Sequence, residues 1–279
     1  GGGPGSGGAA GGRDGAAGST PDGGAAGSPV DGGSHPDGGG SSKILIYGVT
    51  TGFRHGSITA AANAITAAAA THGLTTEIVG ATNATNVADP TKLTAQALAG
   101  YGAVILLANS GEPFGYPATT EIQNLVDYVK NGGALIGIED ADHCYTGFNG
   151  HPATPAYINL IGNTFSGHPG GVAAATCTTV GTNPSVMQLP ATFGVTDEIY
   201  ATSNFRADNQ VVLTCVSSGA STPTVRPISY VREEGAGRVF YTALGHPDAL
   251  WTGPMDAKAA NTRLVENHVI PALLWAMRR

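Results

Sequence analysis

The tripeptide Gly-His-Pro occurs three times in this chain, at residues 150–152, 167–169 and 245–247. Glycine lets the backbone approach closely and proline fixes the turn, so each imidazole is carried on a stiff loop. Stiff loops suit metal ligands and acid–base groups, whose positions must be held within about 0.5 Å. The competing reading is three ordinary turns with exposed histidines. Other polar side chains gather in short runs: Thr50, Thr51, Arg54 and His55, then Asn109, Ser110 and Glu112, then Glu139, Asp140, Asp142 and His143. The apolar run RVFYTAL at 238–244 leads directly into Gly245-His246-Pro247.

Each run comes straight after a segment that reads as a strand. KILIY (43–47), TTEIV (75–79), AVILL (103–107) and ALIGI (134–138) are short apolar runs of the kind expected in a buried parallel sheet. An Ala-rich helix is predicted from a Ser57 N-cap to about Thr71, with His72-Gly73 as its end. Asp89-Pro90 is expected to open a helix to about Leu98. A further helix spans about Thr119 to Asn131, with Ile122, Leu125, Val126 and Val129 on one face. Strands joined by helical crossovers imply right-handed βαβ units and a parallel sheet covered on both faces.

The second half changes character. Residues 173–180, 211–216, 227–232 and 238–243 are strand-like with few helices between them, which predicts an antiparallel extension and a return to the main sheet through 238–244. A last helix is expected from Ala257 to Met277, kinked or broken at Pro271. The fold class is therefore α/β, a flavodoxin-like three-layer arrangement with an antiparallel β extension. In such sheets ligands bind beyond the carboxyl ends of the strands, so the polar runs should share one edge.

Composition bounds the rest. Residues 1–42 hold 18 of the 43 glycines and no aromatic residue, so they read as a disordered Gly/Ala/Ser-rich tether ahead of a domain over 43–279. Net charge is −7 with no basic stripe, which argues against a nucleic-acid partner. No apolar run reaches the roughly 18–20 residues that span a bilayer. The tether resembles the linkers of exported bacterial lipoproteins, which implies an extracytoplasmic protein (periplasmic, surface-bound or secreted) with a lipid anchor upstream. Cys177 and Cys215 would be bridged if their strands are neighbours, with Cys144 left over; three separate thiols are the other reading.

Two tempting motifs fail on inspection. GVTTGFRHGSIT (48–59) is similar to the FMN phosphate loop of flavodoxins, yet the later loops offer little aromatic surface for a flavin beyond Phe114, Tyr116 and Tyr145. Neither FMN nor NAD is expected. Class I glutamine amidotransferases place a nucleophilic cysteine directly after the fourth strand; here that position is Glu139, and Cys144 comes five residues later.

Five segments together resemble the ThuA-like (trehalose utilisation) family, whose fold is close to class I glutamine amidotransferases without their triad. They are 44–58, 132–141, 157–169, 189–200 and 237–251, with GFRH and GRVFYTALGH the most specific. The resemblance implies a link to trehalose and oxidised (3-keto) glycosides, hence a small-molecule carbohydrate partner. It marks His55, His168, Asp197, Glu198, Tyr200 and His246 as matching positions. The chain departs from the pattern at Glu139, where the family often has histidine, and at Asn183-Pro184, where it commonly has His-Pro.

The resulting candidate site is His55, Glu139, His168 and His246 for catalysis, with Arg54, Asn109, Glu112, Asp197, Glu198, Tyr200 and Trp251 around the substrate. Two chemistries fit. A divalent, zinc-like metal could be held by His55, Glu139 and His246 with a position open for water. Without a metal, a histidine would act as general base with Glu139 or Glu198 as partner. For Asp197, Glu198 and Tyr200 the plainer reading is a hydrogen-bonded corner that positions its loop. The function classes that follow are a hydrolase, lyase or isomerase of an oxidised sugar, or a non-catalytic carbohydrate-binding module. The module would use an aromatic groove drawn from Phe114, Tyr116, Phe148 and Trp251. Self-association through an exposed strand, with a vestigial site, is a third.

Overall fold

The computed structural model of the chain describes residues 40–82 and 85–279. The expected tether therefore falls almost wholly outside the described residues.

In chain order the strands are β1 (Lys43–Tyr47), β2 (Thr75–Val79), β3 (Ala103–Leu107), β4 (Ser110–Gly111), β5 (Ala134–Ile138), β6 (His143–Cys144) and β7 (Thr164–Phe165). The second half adds β8 (Val172–Thr179), β9 (Thr192–Glu198), β10 (Thr202–Ser203), β11 (Gln210–Ser217), β12 (Arg226–Glu234) and β13 (Gly237–Thr242). Nine of them form one sheet in the order β2-β1-β3-β5-β13-β12-β11-β8-β9. The run β2-β1-β3-β5-β13 is parallel, and every later pairing is antiparallel. This is the expected mixed, flavodoxin-like α/β sheet, and residues 238–244 do return beside β5.

The reason lies in the side chains. β3 and β5 are buried at every position, so both faces of the sheet must be covered. Helix α1 (Ile58–Ala70) buries Ile58, Ala61, Ala62, Ile65 and Ala69 along one stripe. Helix α3 (Thr119–Lys130) does the same with Ile122, Leu125, Val126 and Val129.

Local expectations are corrected at three places. Ser57 precedes α1 but makes no side-chain cap bond. The helix expected from Asp89 to Leu98 splits into a 3-10 turn (Pro90–Leu93) and α2 (Ala95–Leu98), because Thr94 is extended and caps the second piece through Ala97 N–H. The last helix starts far later than Ala257: a π-helical turn at Val265–Val269 runs into α7 (Ile270–Ala276), with Pro271 in its first turn. A π turn widens the hydrogen-bond ladder just where proline has no N–H to supply. Helices α4 (Pro155–Ile161), α5 (Pro184–Met187) and α6 (Ala249–Thr252) are short.

Cys177 and Cys215 face each other in the β8–β11 register and form a disulfide, while Cys144 is free and buried. Asn183 caps α5 by accepting from Ser185 N–H at 3.0 Å. Ser185 in turn offers its carbonyl to His268 Nδ1 at 2.6 Å, and Ser229 Oγ lies 2.9 Å from His268 Nε2. His268 is fully buried, and desolvation lowers its pKa to about 4.

An unfolded histidine binds a proton below about 6.5, so His268 removes stability as pH falls from about 6.5 to 4 and no further below that. The loss expected from this residue is about 3 kcal/mol, at about 1.4 kcal/mol per pKa unit. Urea unfolding of wild type and His268→Asn at pH 7, 5.5 and 4 should show a distinctly flatter profile for the variant. Parallel profiles would refute the assignment.

Candidate functional site

The carboxyl ends of β1, β3, β5 and β13 lie on one edge of the sheet because these strands are parallel neighbours. At the end of β5 the chain turns sharply into the 3-10 segment Glu139–Asp142. Glu139 sits at the bend with φ 57°, in the left-handed region that costs a side-chain-bearing residue energy. It is fully buried. Tyr241 Oη donates to its carbonyl at 2.7 Å and Asp140 N–H to its Oε2 at 2.7 Å. Tyr200 Oη donates to its Oε1. The carboxylate is thus held at both oxygens.

Two imidazoles converge on it. His55 Nε2 is 3.1 Å from Glu139 Oε2, and His246 Nδ1 is 3.4 Å from Oε1. The Nδ1 atoms of the two rings face each other at 3.1 Å, with the rings close to perpendicular at 87°. Glu198 Oε2 adds a fourth group, 3.2 Å from His246 Nδ1. The hydrogen bond to Glu139 raises the pKa of His246, with help from the charges of Glu198 and Asp197. His55 is buried, whereas the His246 ring keeps 24 % of its surface exposed. The cluster is therefore closed on the His55 side and open at His246.

Each histidine is placed by its loop. Thr51 and Gly52 N–H both donate to Ser110 O, and Ser110 Oγ donates to Phe53 O at 2.6 Å, which docks the loop after β1 onto the loop after β3. His246 is held from beneath by Asp197. The Asp197 carboxylate accepts from Gly245 N–H at 2.8 Å, Glu198 N–H at 2.9 Å and His246 N–H at 3.2 Å. Burial pushes Asp197 up to about 8, with the charge of Glu139 adding to the rise and the three backbone donors opposing it.

Several expected site residues turn out to support the loops. Arg54 donates to Gly48 O, Gly80 O, Thr82 O and Asn86 Oδ1, so its guanidinium ties loops together and does not reach the cluster. Asn109 donates to Val49 O at 2.8 Å. Glu112 pairs with His151 Nδ1 at 2.7 Å, and His151 stacks on Tyr116. Trp251 is buried and donates from Nε1 to Gly245 O at 2.8 Å. Phe114 is also buried, against Tyr47, Tyr145 and Tyr157. Phe114 and Trp251, two of the four rings expected in an aromatic groove, are therefore buried, whereas Tyr116 is exposed and Phe148 half-buried. His168 stands at the rim, 3.8 Å from Glu198 and half-exposed.

Asp140 and His143 lie at the cluster, although the candidate site drawn from the sequence leaves them out. Asp140 Oδ2 lies 3.5 Å from His55 Nε2, and its Oδ1 lies 3.3 Å from His143 Nδ1. The β4–β6 pairing, Ser110 with His143, fixes that histidine beside Phe148 and Phe165. The signal was present in the sequence: both residues follow β5 within five positions of Ile138. Below them Asp142 is fully buried, and burial together with the Asp140 charge raises its pKa well above the usual carboxylate range.

Residues 43–276 match the family model described as ThuA, trehalose utilisation. The chain belongs to the ThuA family. Its fold is shared with solved ThuA-like proteins. One from Bacteroides uniformis ATCC 8492 is 20% identical with a TM-score of 0.58, covering 85% of this chain and 89% of that one. One from Parabacteroides merdae ATCC 43184 is 14% identical with a TM-score of 0.54, covering 84% and 89%. A β-galactosidase from Rahnella sp. R3 is 13% identical with a TM-score of 0.50, covering 85% of this chain and 31% of that one. The comparison with curated proteins returned no match. As a ThuA-family chain, this one has the glutamine amidotransferase-like fold with Glu139 at the elbow after β5.

The loop that presents His246 is tightly specified. Gly245 has φ +136°, and a Cβ there would lie 2.6 Å from Trp251 Cζ2. Gly245→Ala should cost about 1–3 kcal/mol in urea denaturation, through backbone strain and overpacking. A cost below about 0.5 kcal/mol would mean that the loop yields easily.

Proposed function

We infer that this ThuA-family protein is a carbohydrate-active enzyme acting on an oxidised, keto-bearing sugar or glycoside, as a lyase, hydrolase or isomerase. One observation carries the reading. His55, Glu139 and His246 come from three different loops and meet within hydrogen-bonding distance at the carboxyl edge of the sheet, where His246 remains open to solvent. The family's description, trehalose utilisation, supports a glycoside as the substrate, without specifying its oxidation state.

The chemistry suits the residues. A carbonyl on a sugar ring acidifies the neighbouring C–H. A paired imidazole can take that proton while a second, protonated group gives one to the developing enolate oxygen. Phe53, 65% exposed and 4.8 Å from the His55 ring, offers an apolar face beside it. We place the protein in an oxidising, extracytoplasmic compartment. The Cys177–Cys215 disulfide supports this.

The test is incubation with a 3-keto-glucoside and, separately, with unoxidised trehalose, followed by NMR of the products. The oxidised sugar should be consumed and trehalose left intact. His55→Ala, His246→Ala and Glu139→Gln should each lose about 100-fold or more in rate. Binding without turnover, equal in all variants, would replace this reading with a non-catalytic carbohydrate-binding module.

A further inference from the structure

The atoms around His246 pose a hydrogen-bonding problem. Its Nδ1 is approached by His55 Nδ1 at 3.1 Å, Glu198 Oε2 at 3.2 Å and Glu139 Oε1 at 3.4 Å. An imidazole nitrogen carries at most one proton, so it cannot satisfy three acceptors converging on it. The difficulty extends to His55. Its ring is 4% exposed, yet Nε2 makes no hydrogen bond of proper geometry, although two carboxylates lie within 3.5 Å. Leaving such a group unsatisfied costs about 1–3 kcal/mol.

We propose that His55, His246 and Glu139 bind one divalent transition-metal ion, with Glu198 bordering its open side. The ligand atoms these three residues offer all lie within 4.8 Å of one another. Metal bonds of about 2.0–2.2 Å place adjacent ligands roughly 3.0–3.6 Å apart in octahedral or tetrahedral sites. The observed separations of 3.1 and 3.4 Å fall in that range. A cation among these atoms receives lone pairs from all of them, which removes the competition for one proton. It also assigns the two sides of His55: Nδ1 turns to the metal, and Nε2 is left beside Glu139 Oε2 and Asp140 Oδ2 at 3.1 and 3.5 Å. A carboxylate on the distal nitrogen is the usual outer partner of a metal-bound imidazole. Asp197 then fixes the His246 backbone from behind.

The donor set selects the ion. Two imidazoles and a carboxylate favour zinc, manganese, cobalt or iron over magnesium and calcium, which prefer oxygen alone. The exposed face at His246 leaves room for water or a substrate oxygen.

The proposal concerns the same residues as the functional reading but stands independently of any substrate. The full chain, stripped with chelator, is titrated calorimetrically with ZnCl2, MnCl2, MgCl2 and CaCl2, and bound metal is counted after gel filtration. About one equivalent of zinc or manganese should remain bound, with no comparable retention of magnesium or calcium. His55→Ala and His246→Ala should each weaken binding by more than about 100-fold, beyond what an outer-shell change costs. His72→Ala, at an exposed position, should bind as wild type does. Circular dichroism of each metal-free variant separates lost binding from lost folding. Should one histidine variant fail to fold, Glu139→Gln supplies the same comparison. A folded wild type that retains no stoichiometric metal, or histidine variants that bind as tightly as wild type, would overturn the proposal. Because metal is counted without substrate, its result is read separately from turnover of a keto-sugar, which tests the functional reading.

Discussion

The bend at Glu139 is the constraint on which the site depends. A parallel strand delivers this residue to the sheet edge, and the backbone then turns through a left-handed conformation into a 3-10 segment. That conformation is held because Tyr241 grips the carbonyl while Tyr200 and the Asp140 amide grip the carboxylate. In the amidotransferase-like fold this elbow is the place where a side chain is lifted clear of the sheet. Here the lifted group is a carboxyl side chain, and the neighbouring loops bring two imidazoles to it.

Burial makes the arrangement demanding. Glu139, Asp140, Asp142 and Asp197 are all nearly inaccessible, and Asp142 and Asp197 are both driven toward the protonated form. An isolated buried carboxylate is costly, so each must find donors or take up a proton. Asn163 and Tyr200 meet part of this need, as do the backbone amides of Gly245 and His246. The two halves of the sheet are joined by the same economy. Strand β9 belongs to the antiparallel extension, yet its last residues, Asp197 and Glu198, reach the loop after β13 in the parallel half.

Much of the fold was legible because burial dictates composition. The apolar runs at 43–47, 103–107 and 134–138 can be stable only as covered parallel strands, and the helices beside them carry matching stripes. What could not be read was local competition. Thr94 breaks a helix by capping the next one, and the π turn before Pro271 replaces the long helix expected from Ala257. Strand β9 and helix α4 were visible as motifs but not as elements, because TFGVTDE and PAYINLI are too short for periodicity to distinguish.

The sequence by itself determined which loops would share an edge, and hence that His55, Glu139 and His246 could meet. Parallel strand direction follows from the helical crossovers, and the shared edge follows from strand direction. Only tertiary structure decided how each side chain is used. It sent Arg54 to four oxygens from neighbouring loops, buried Trp251 under Gly245, and drew Asp140 and His143 toward the cluster. Those outcomes depend on distances of a few ångströms between residues far apart in the chain, which neither composition nor spacing encodes.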